Sequence, residues 1–291
     1  MILPYLLHAD WEEPPLSMEM ELPYGRLLQR IIETLTFLRQ SNPQTSEASV
    51  SMEQVNAAIQ LYCMAPGIVN VMLNYKICVE HDLPLHPTVY YELKEARKYR
   101  INHEIAEIEK ANRLYRRSIH LARDVVMMTA GIEETLDQFR HGIPRELLGF
   151  VYSGIRDKYT WRGSDPALLE KLADMVRASY KPDILIAAAH GSIMPSLLLA
   201  ELLDIPLYFV RLSMFKRNDE EPIIAISDEA WLFSYRESRA LLYDEDVAGG
   251  RTLSLFQERL KPLFAETRTA CSIRHAGAKI KPDYAARTWW D

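Results

Sequence analysis

Ala240-Leu241-Leu242-Tyr243-Asp244-Glu245-Asp246-Val247-Ala248-Gly249-Gly250-Arg251-Thr252-Leu253 is the stretch that decides the fold. An apolar run turns into three acids, two glycines, a basic residue and a threonine, and then into a helical pattern over 252–264. In an open parallel sheet, ligands sit beyond the carboxyl ends of the strands, which is where these acids emerge. Gly249 and Gly250 let the backbone bend so that amide N–H groups converge, and the next helix adds its positive N-terminal end. Such a loop holds a phosphate. Asp244 and Glu245 at its mouth are suited to accept hydrogen bonds from a vicinal diol and to hold a hydrated magnesium ion. A phosphate on one side and a diol on the other describe a ribose 5-phosphate.

The neighbouring segments agree. Residues 183–189 form a continuous apolar run, the pattern of a strand buried in a parallel sheet. The turn His190-Gly191-Ser192 follows, then a helix over 193–203 and a strand over 207–211. This is a βαβ unit with a right-handed crossover. Further strands are expected at 222–226, 240–243 and 269–273, giving an α/β class with a parallel core.

Segment 240–253 resembles, without a gap, the phosphoribosyl-pyrophosphate signature of the type I phosphoribosyltransferases. The turn at 190–192, the Ala200-Glu201-Leu202-Leu203 helix end and the strand ending Val210-Arg211 resemble the family's pyrophosphate loop and its surroundings. Segment 269–274, Lys281-Pro282-Asp283-Tyr284 and Trp289-Trp290-Asp291 resemble the closing strand and C-terminal hood of purine-type members. The likeness covers about 181–291 and implies a phosphoribosyltransferase-like parallel sheet with flanking helices. It also implies transfer of a phosphoribosyl group from 5-phosphoribosyl-1-pyrophosphate to a purine-like base, with magnesium as cofactor.

Residue by residue, the resemblance gives Asp244 and Glu245 the ribose hydroxyls and the metal. It gives Ala248, Gly249, Gly250, Arg251 and Thr252 the 5-phosphate. His190, Gly191 and Ser192 fall on the pyrophosphate-binding turn, and Arg211, Lys216 and Arg217 are the cations expected to neutralise pyrophosphate, Arg211 and Lys216 with a catalytic role. For Lys216 and Arg217 an exposed basic pair beside Asp219, Glu220 and Glu221 is an equal reading, and for His190 a structural one is. Tyr284, Trp289 and Trp290 are the candidates to stack on the base, or else to fill a domain interface. One position departs from the pattern. Purine-using members often carry an acid three residues after the second acid of the pair, and Ala248 stands there. Another group then protonates the base, the substrate differs, or catalysis has been lost.

The first half resembles no family and is helical in pattern. Helices are expected over 22–38 and 51–63, the latter opened by a capping-box spacing, Ser51 to Gln54, and broken at Pro66-Gly67. A third is expected over 68–80, a loop over 82–87, and one long helix over 88–130. In that last helix Ile101, Ile105, Ile108, Asn112, Tyr115, Ile119, Ala122 and Val126 form an a/d seam, which either an antiparallel partner within the chain or a homodimer would fill. Its interleaved Lys, Arg and Glu residues read as a solvated face. Another helix is expected over 144–159, and the turn-rich segment 161–166 marks a boundary between a helical domain (1–160), for partner docking or dimerisation, and the phosphoribosyltransferase-like domain (161–291).

Composition excludes some classes. A formal net charge of −6 argues against a protein built to coat nucleic acid. Three scattered cysteines, no basic leader in the first thirteen residues and no apolar run near the ~20 residues that span a bilayer point to the cytoplasm. Beyond the transferase, two readings remain: a non-catalytic sensor of nucleotides or phosphoribosyl pyrophosphate, and an effector that attacks nucleotides when its helical half releases it. A 150-residue helical addition is more than plain base salvage needs.

Overall fold

The computed structural model describes residues 1–41, 50–88, 91–99, 101–212, 214 and 219–290. Its first half runs α1 (Leu3–Leu6), β1 (Met20–Pro23), α2 (Tyr24–Gln40), α3 (Met52–Glu80), α4 (Ile105–Met127), α5 (Ile132–Gly142), α6 (Arg145–Leu148) and β2 (Val151–Gly154). Strands β1 and β2 pair antiparallel. Two helices, α7 (Lys158–Gly163) and α8 (Pro166–Ser179), lead into the sheet.

Helix α3 organises this half. It is apolar on all sides and almost wholly buried, which is why it lies among its neighbours rather than on the surface. The capping box at Ser51 forms as its spacing predicts, with Ser51 Oγ accepting from the Gln54 amide and Gln54 Oε1 from the Ser51 amide. The break expected at Pro66-Gly67 is absent: the helix runs through both. Pro66 removes one backbone hydrogen bond, but burial along 29 residues holds the helix together. Gly67 permits close approach, since a Cβ there would meet Leu27 Cδ2 at 2.5 Å and Tyr152 Cδ1 at 2.9 Å. Read as one helix, α3 is long and apolar enough to cross a membrane, which the assumed break had concealed. Most of it is buried inside the protein as core.

The single helix expected over 88–130 is also corrected. Residues Leu93–Lys98 form a 3-10 turn, and α4 begins only at Ile105, itself 76 % exposed. In that turn only Leu93 packs against the core, too little burial to sustain a longer helix there. From Asn112 on, the seam residues pack within the chain, chiefly on α3. Asn112 donates to Glu80 Oε1 at 2.7 Å, so its polar group is met by the chain itself. At 144–159 the structure has the short α6 and β2 instead of one helix.

The second half is the α/β parallel sheet with flanking helices that the sequence pattern predicts. Its elements are β3 (Ile184–Ala189), α9 (Ile193–Leu203), β4 (Leu207–Arg211), α10 (Ile226–Leu232), β5 (Arg239–Val247), α11 (Arg251–Leu260), β6 (Glu266–His275) and β7 (Tyr284–Trp289). The strand order is β4-β3-β5-β6-β7, all parallel. Every residue of β3 is buried, as its continuous apolar run requires. No strand forms over 222–226. Ile223 makes one antiparallel bridge to Arg211, and Asp228 then accepts from the Ala225 amide at 2.9 Å and starts α10. One hydrophobic cluster joins α2, α3 and α4 to α8, α9 and the sheet, and α7 spans the 160/161 boundary.

Candidate active site

A cleft of about 770 Å³ opens at the carboxyl ends of β3, β4 and β5, where ligands of open parallel sheets lie. Its floor comes from Ala188, His190, Gly191 and Met194, and Asp244, Glu245, Asp246 and Thr252 line one side. The opposite wall belongs to the helical half: Cys63, Pro66 and Asn70 of α3, Tyr152 and Ser153 of β2, and Asp157, Tyr159 and Thr160 at the start of α7.

Asp244 and Glu245 are the centre of this site. They end the buried part of β5, and both carboxylates converge on one hydroxyl: Ser192 Oγ lies 3.3 Å from Asp244 Oδ1 and 2.5 Å from Glu245 Oε2. The Glu245 amide in turn donates to Ser192 Oγ at 3.1 Å, and Thr160 Oγ1 donates to Glu245 Oε1 at 3.2 Å. Gly191 makes this arrangement fit. A Cβ on it would lie 1.8 Å from Glu245 Oε1, so only glycine lets that side chain cross the turn.

Burial first, and the neighbouring Glu245 charge second, hold the Asp244 carboxyl well above the ordinary carboxylate range. Burial likewise raises Glu245. Asp246 is pushed up to about 6 by burial, against the opposing pull of His275. No Lys or Arg lines the cleft among the described residues. Carboxylates crowded together without a cation are suited to hydroxyl donors or a metal ion. No group of three or more His, Cys, Asp or Glu side chains among the described residues could cage a metal. Two carboxylates do suit magnesium, which keeps several waters and shares its shell with phosphate oxygens.

The loop after β5 bends at Gly250, whose φ of +86° lies in the left-handed region. A Cβ there would meet Ile280 Cβ at 2.5 Å and Ile280 O at 2.9 Å, so Gly250 also carries a tight backbone approach. A Cβ at Gly249 would meet nothing within 4 Å. Helix α11 starts at Arg251 with no side chain capping it, leaving its first amides to solvent or to an anion. Of the expected phosphate-binding residues, Thr252 lines the cleft, and Ala248, Gly249, Gly250 and Arg251 stand beside it in the loop.

Other expected site residues lie elsewhere. Arg211 is 2 % exposed and gripped by Asp219, Nε to Oδ2 at 3.2 Å and Nη2 to Oδ1 at 3.1 Å, so it is a structural ion pair and not a cation in the cleft. Lys216 and Arg217 lie outside the described residues. Tyr284, Trp289 and Trp290 do not line the cleft: Tyr284–Trp289 forms β7, which pairs with β6 at the sheet edge, two strands from β5. Tyr284 Oη lies 2.8 Å from Ser179 Oγ, Trp289 sits against the guanidinium groups of Arg162 (4.4 Å) and Arg287 (4.6 Å), and Trp290 is 80 % exposed.

Sequence reading missed the second wall. The one local signal was Asp157-Lys158-Tyr159-Thr160, an N-cap spacing in which Asp157 does accept from the Thr160 amide at 2.7 Å. That spacing announces a helix start but not that Thr160 reaches Glu245, 85 residues away.

No protein-family model matches the chain, and no curated protein does. Among solved structures, a purine phosphoribosyltransferase from Pyrococcus horikoshii Ot3 is 27 % identical, over 45 % of this chain and 87 % of that one, with a TM-score of 0.36. A hypothetical protein from Neisseria gonorrhoeae solved with bound ppGpp is 24 % identical, over 43 % and 78 %, with a TM-score of 0.38. The Helicobacter pylori xanthine-guanine-hypoxanthine phosphoribosyltransferase is 20 % identical, over 43 % and 82 %, with a TM-score of 0.32. The phosphoribosyltransferases among these resemble the C-terminal part and leave the N-terminal half unmatched. With TM-scores below 0.5, none of these likenesses bears on what the chain does.

Proposed function

We propose that the chain is a phosphoribosyltransferase that takes 5-phosphoribosyl-1-pyrophosphate and a purine-like base in the cleft between its sheet and its helical half. One observation carries this reading: the buried Asp244 and half-buried Glu245 carboxylates converge on Ser192 at the mouth of a glycine loop, with no basic side chain lining the same cleft among the described residues.

The residues divide the work by position. Asp244 and Glu245 accept the ribose hydroxyls and fix the ring, with Ser192 and Thr160 setting the direction of their oxygens. The amides at the start of α11 and the Thr252 hydroxyl take the 5-phosphate. Backbone amides at His190, Gly191 and Ser192 face the pyrophosphate end, where charge develops as the anomeric bond breaks. Asp244 and Glu245 would hold magnesium, which would supply positive charge for the departing pyrophosphate when bound. We assign Lys216 and Arg217 the remaining neutralisation. Three cysteines without disulfides fit a reducing compartment, and we place the reaction in the cytoplasm.

Two features favour a second reading, a sensor that binds and does not turn over: Ala248 in place of the family's loop acid, and Arg211 withdrawn into an ion pair. Pyrophosphate release from phosphoribosyl pyrophosphate, followed with a panel of bases and with magnesium, separates the two. Turnover with a free base supports the transferase. Calorimetric binding without turnover supports the sensor, and breakdown of added nucleotides supports an effector restrained by the helical half. If Asp244→Asn/Glu245→Gln binds ribose 5-phosphate as the wild type does, the site assignment is wrong.

A further inference from the structure

Asp246 is the acid of the run that the sugar and phosphate do not use. It lines the same cleft, with 19 % of its side chain exposed. His275 Nε2 lies 3.0 Å from its Oδ1, and the His275 ring leans on Tyr159, with centroids 4.9 Å apart and planes at 57°. Tyr159 also lines the cleft. Oδ2 of Asp246 has no hydrogen-bond partner among the described residues. Nor do the three acids gather into a metal cage. Asp246 is therefore a fixed acceptor with one free oxygen, set beside an aromatic ring and beyond the ribose-binding pair.

An ionised carboxylate accepts and never donates. Asp157 lines this part of the cleft as well, and no Lys or Arg does among the described residues, so the whole end of the cleft favours donors and disfavours carbonyl oxygens. With Tyr284, Trp289 and Trp290 outside the cleft, its aromatic surface comes from Tyr152 and Tyr159. A planar heterocycle held there puts one edge toward Asp246.

Resting on the phosphoribosyl reading of the same cleft, we propose that Asp246, positioned by His275, selects the heterocycle: it accepts hydrogen bonds from ring N–H and exocyclic amino groups, and so prefers a guanine-like edge to a xanthine-like one. The two bases differ where it matters, one offering an amino group and the other a carbonyl oxygen at the same ring position.

Calorimetry on the full chain with magnesium tests this, using ribose 5-phosphate, GMP and XMP as probes and wild type, Asp246→Asn and His275→Gln as proteins. Wild type binds GMP at least about 10-fold more tightly than XMP, the size expected for a hydrogen bond to a charged group. Asp246→Asn brings the two affinities within about 3-fold of each other, and His275→Gln lowers the ratio partway because the carboxylate loses its fixed direction. A wild type that binds ribose 5-phosphate but not GMP preferentially overturns the inference, as does an Asp246→Asn variant that keeps the preference. Should Asp246→Asn fail to fold, an unchanged ratio in His275→Gln overturns it. A wild type that does not bind ribose 5-phosphate at all defeats the phosphoribosyl reading instead.

Discussion

Asp244 and Glu245 cost the ligand-free protein stability, because they are crowded together largely out of water and, among the described residues, their charge is met by hydroxyls and amides alone. The folded protein keeps the Asp244 proton at a pH where the unfolded chain has released it. Below the ordinary aspartate value, about 3.9, both states are protonated and nothing is lost. As pH rises above that value, stability falls until the raised folded-state value is passed, and Asp246, at about 6, acts in the same direction. Asp244→Asn removes this cost. Its melting temperature in EDTA should match wild type near pH 4 and exceed it by about 2 °C or more at pH 7.5, while ribose 5-phosphate binding is lost. A variant no more stable than wild type at pH 7.5 would show that the acids are not strained. Gly191→Ala makes the complementary test, because its methyl would displace the tip of Glu245 and not the backbone: melting should change little and ribose 5-phosphate affinity should drop at least about 10-fold. Gly250 is a poor probe of the phosphate loop, since any side chain there strikes Ile280 and strains the backbone; Gly249→Val, pointing into open space, is the better one. The acids and glycines were legible in the sequence because they are adjacent. Their joint hold on Ser192 was not, since that contact spans more than fifty residues.

Elements with one dominant pattern were read correctly, and those under competing demands were not. Strands β3 and β4 and helix α2 each carry a clear apolar period or run. Helix α3 carries a proline that local reading treats as a stop, and only its burial on every side keeps it whole. Strand β7 was overlooked because its Tyr284-Ala285-Ala286-Arg287-Thr288-Trp289 sequence has few β-branched residues, and its pairing with β6 is a long-range fact. Nothing in the sequence pointed to the buried cluster that ties α3 to α10. There Lys76 Nζ, 1 % exposed, pairs with Glu80 and with Asp228 Oδ2 at 2.8 Å, and Tyr208 donates to Asp228. Removing the lysine strands two buried carboxylates. Lys76→Ala should therefore cost about 3–5 kcal/mol in urea unfolding, whereas an exposed pair such as Arg113–Glu109 should cost under about 1 kcal/mol. A Lys76→Ala loss as small as that of the exposed pair would mean that water reaches the cluster.

At the scale of the molecule, the two halves share one core and one cleft, so neither half is complete alone. The N-terminal segment clamps the junction: Trp11 stacks on Trp161 at 4.2 Å between centroids, Trp161 Nε1 donates to the Asp10 carbonyl at 2.9 Å, and Arg162 donates to the Glu12 carbonyl at 3.0 Å. Helices α3 and α4 also pack on α9, and Tyr115 of α4 donates to the Phe209 carbonyl of β4 at 2.6 Å. Cutting between the halves would expose apolar surface on both and remove the wall that supplies Asn70, Tyr152 and Thr160. Urea unfolding of the whole chain should then be a single transition, with far-UV circular dichroism and tryptophan fluorescence giving the same midpoint. Residues 161–291 produced alone should bind ribose 5-phosphate at least about 10-fold more weakly, because Glu245 loses Thr160 and water enters beside both acids. Two separated transitions, together with full affinity in the isolated C-terminal part, would make the helical half a mere attachment; coincident midpoints would make it the second wall of the site.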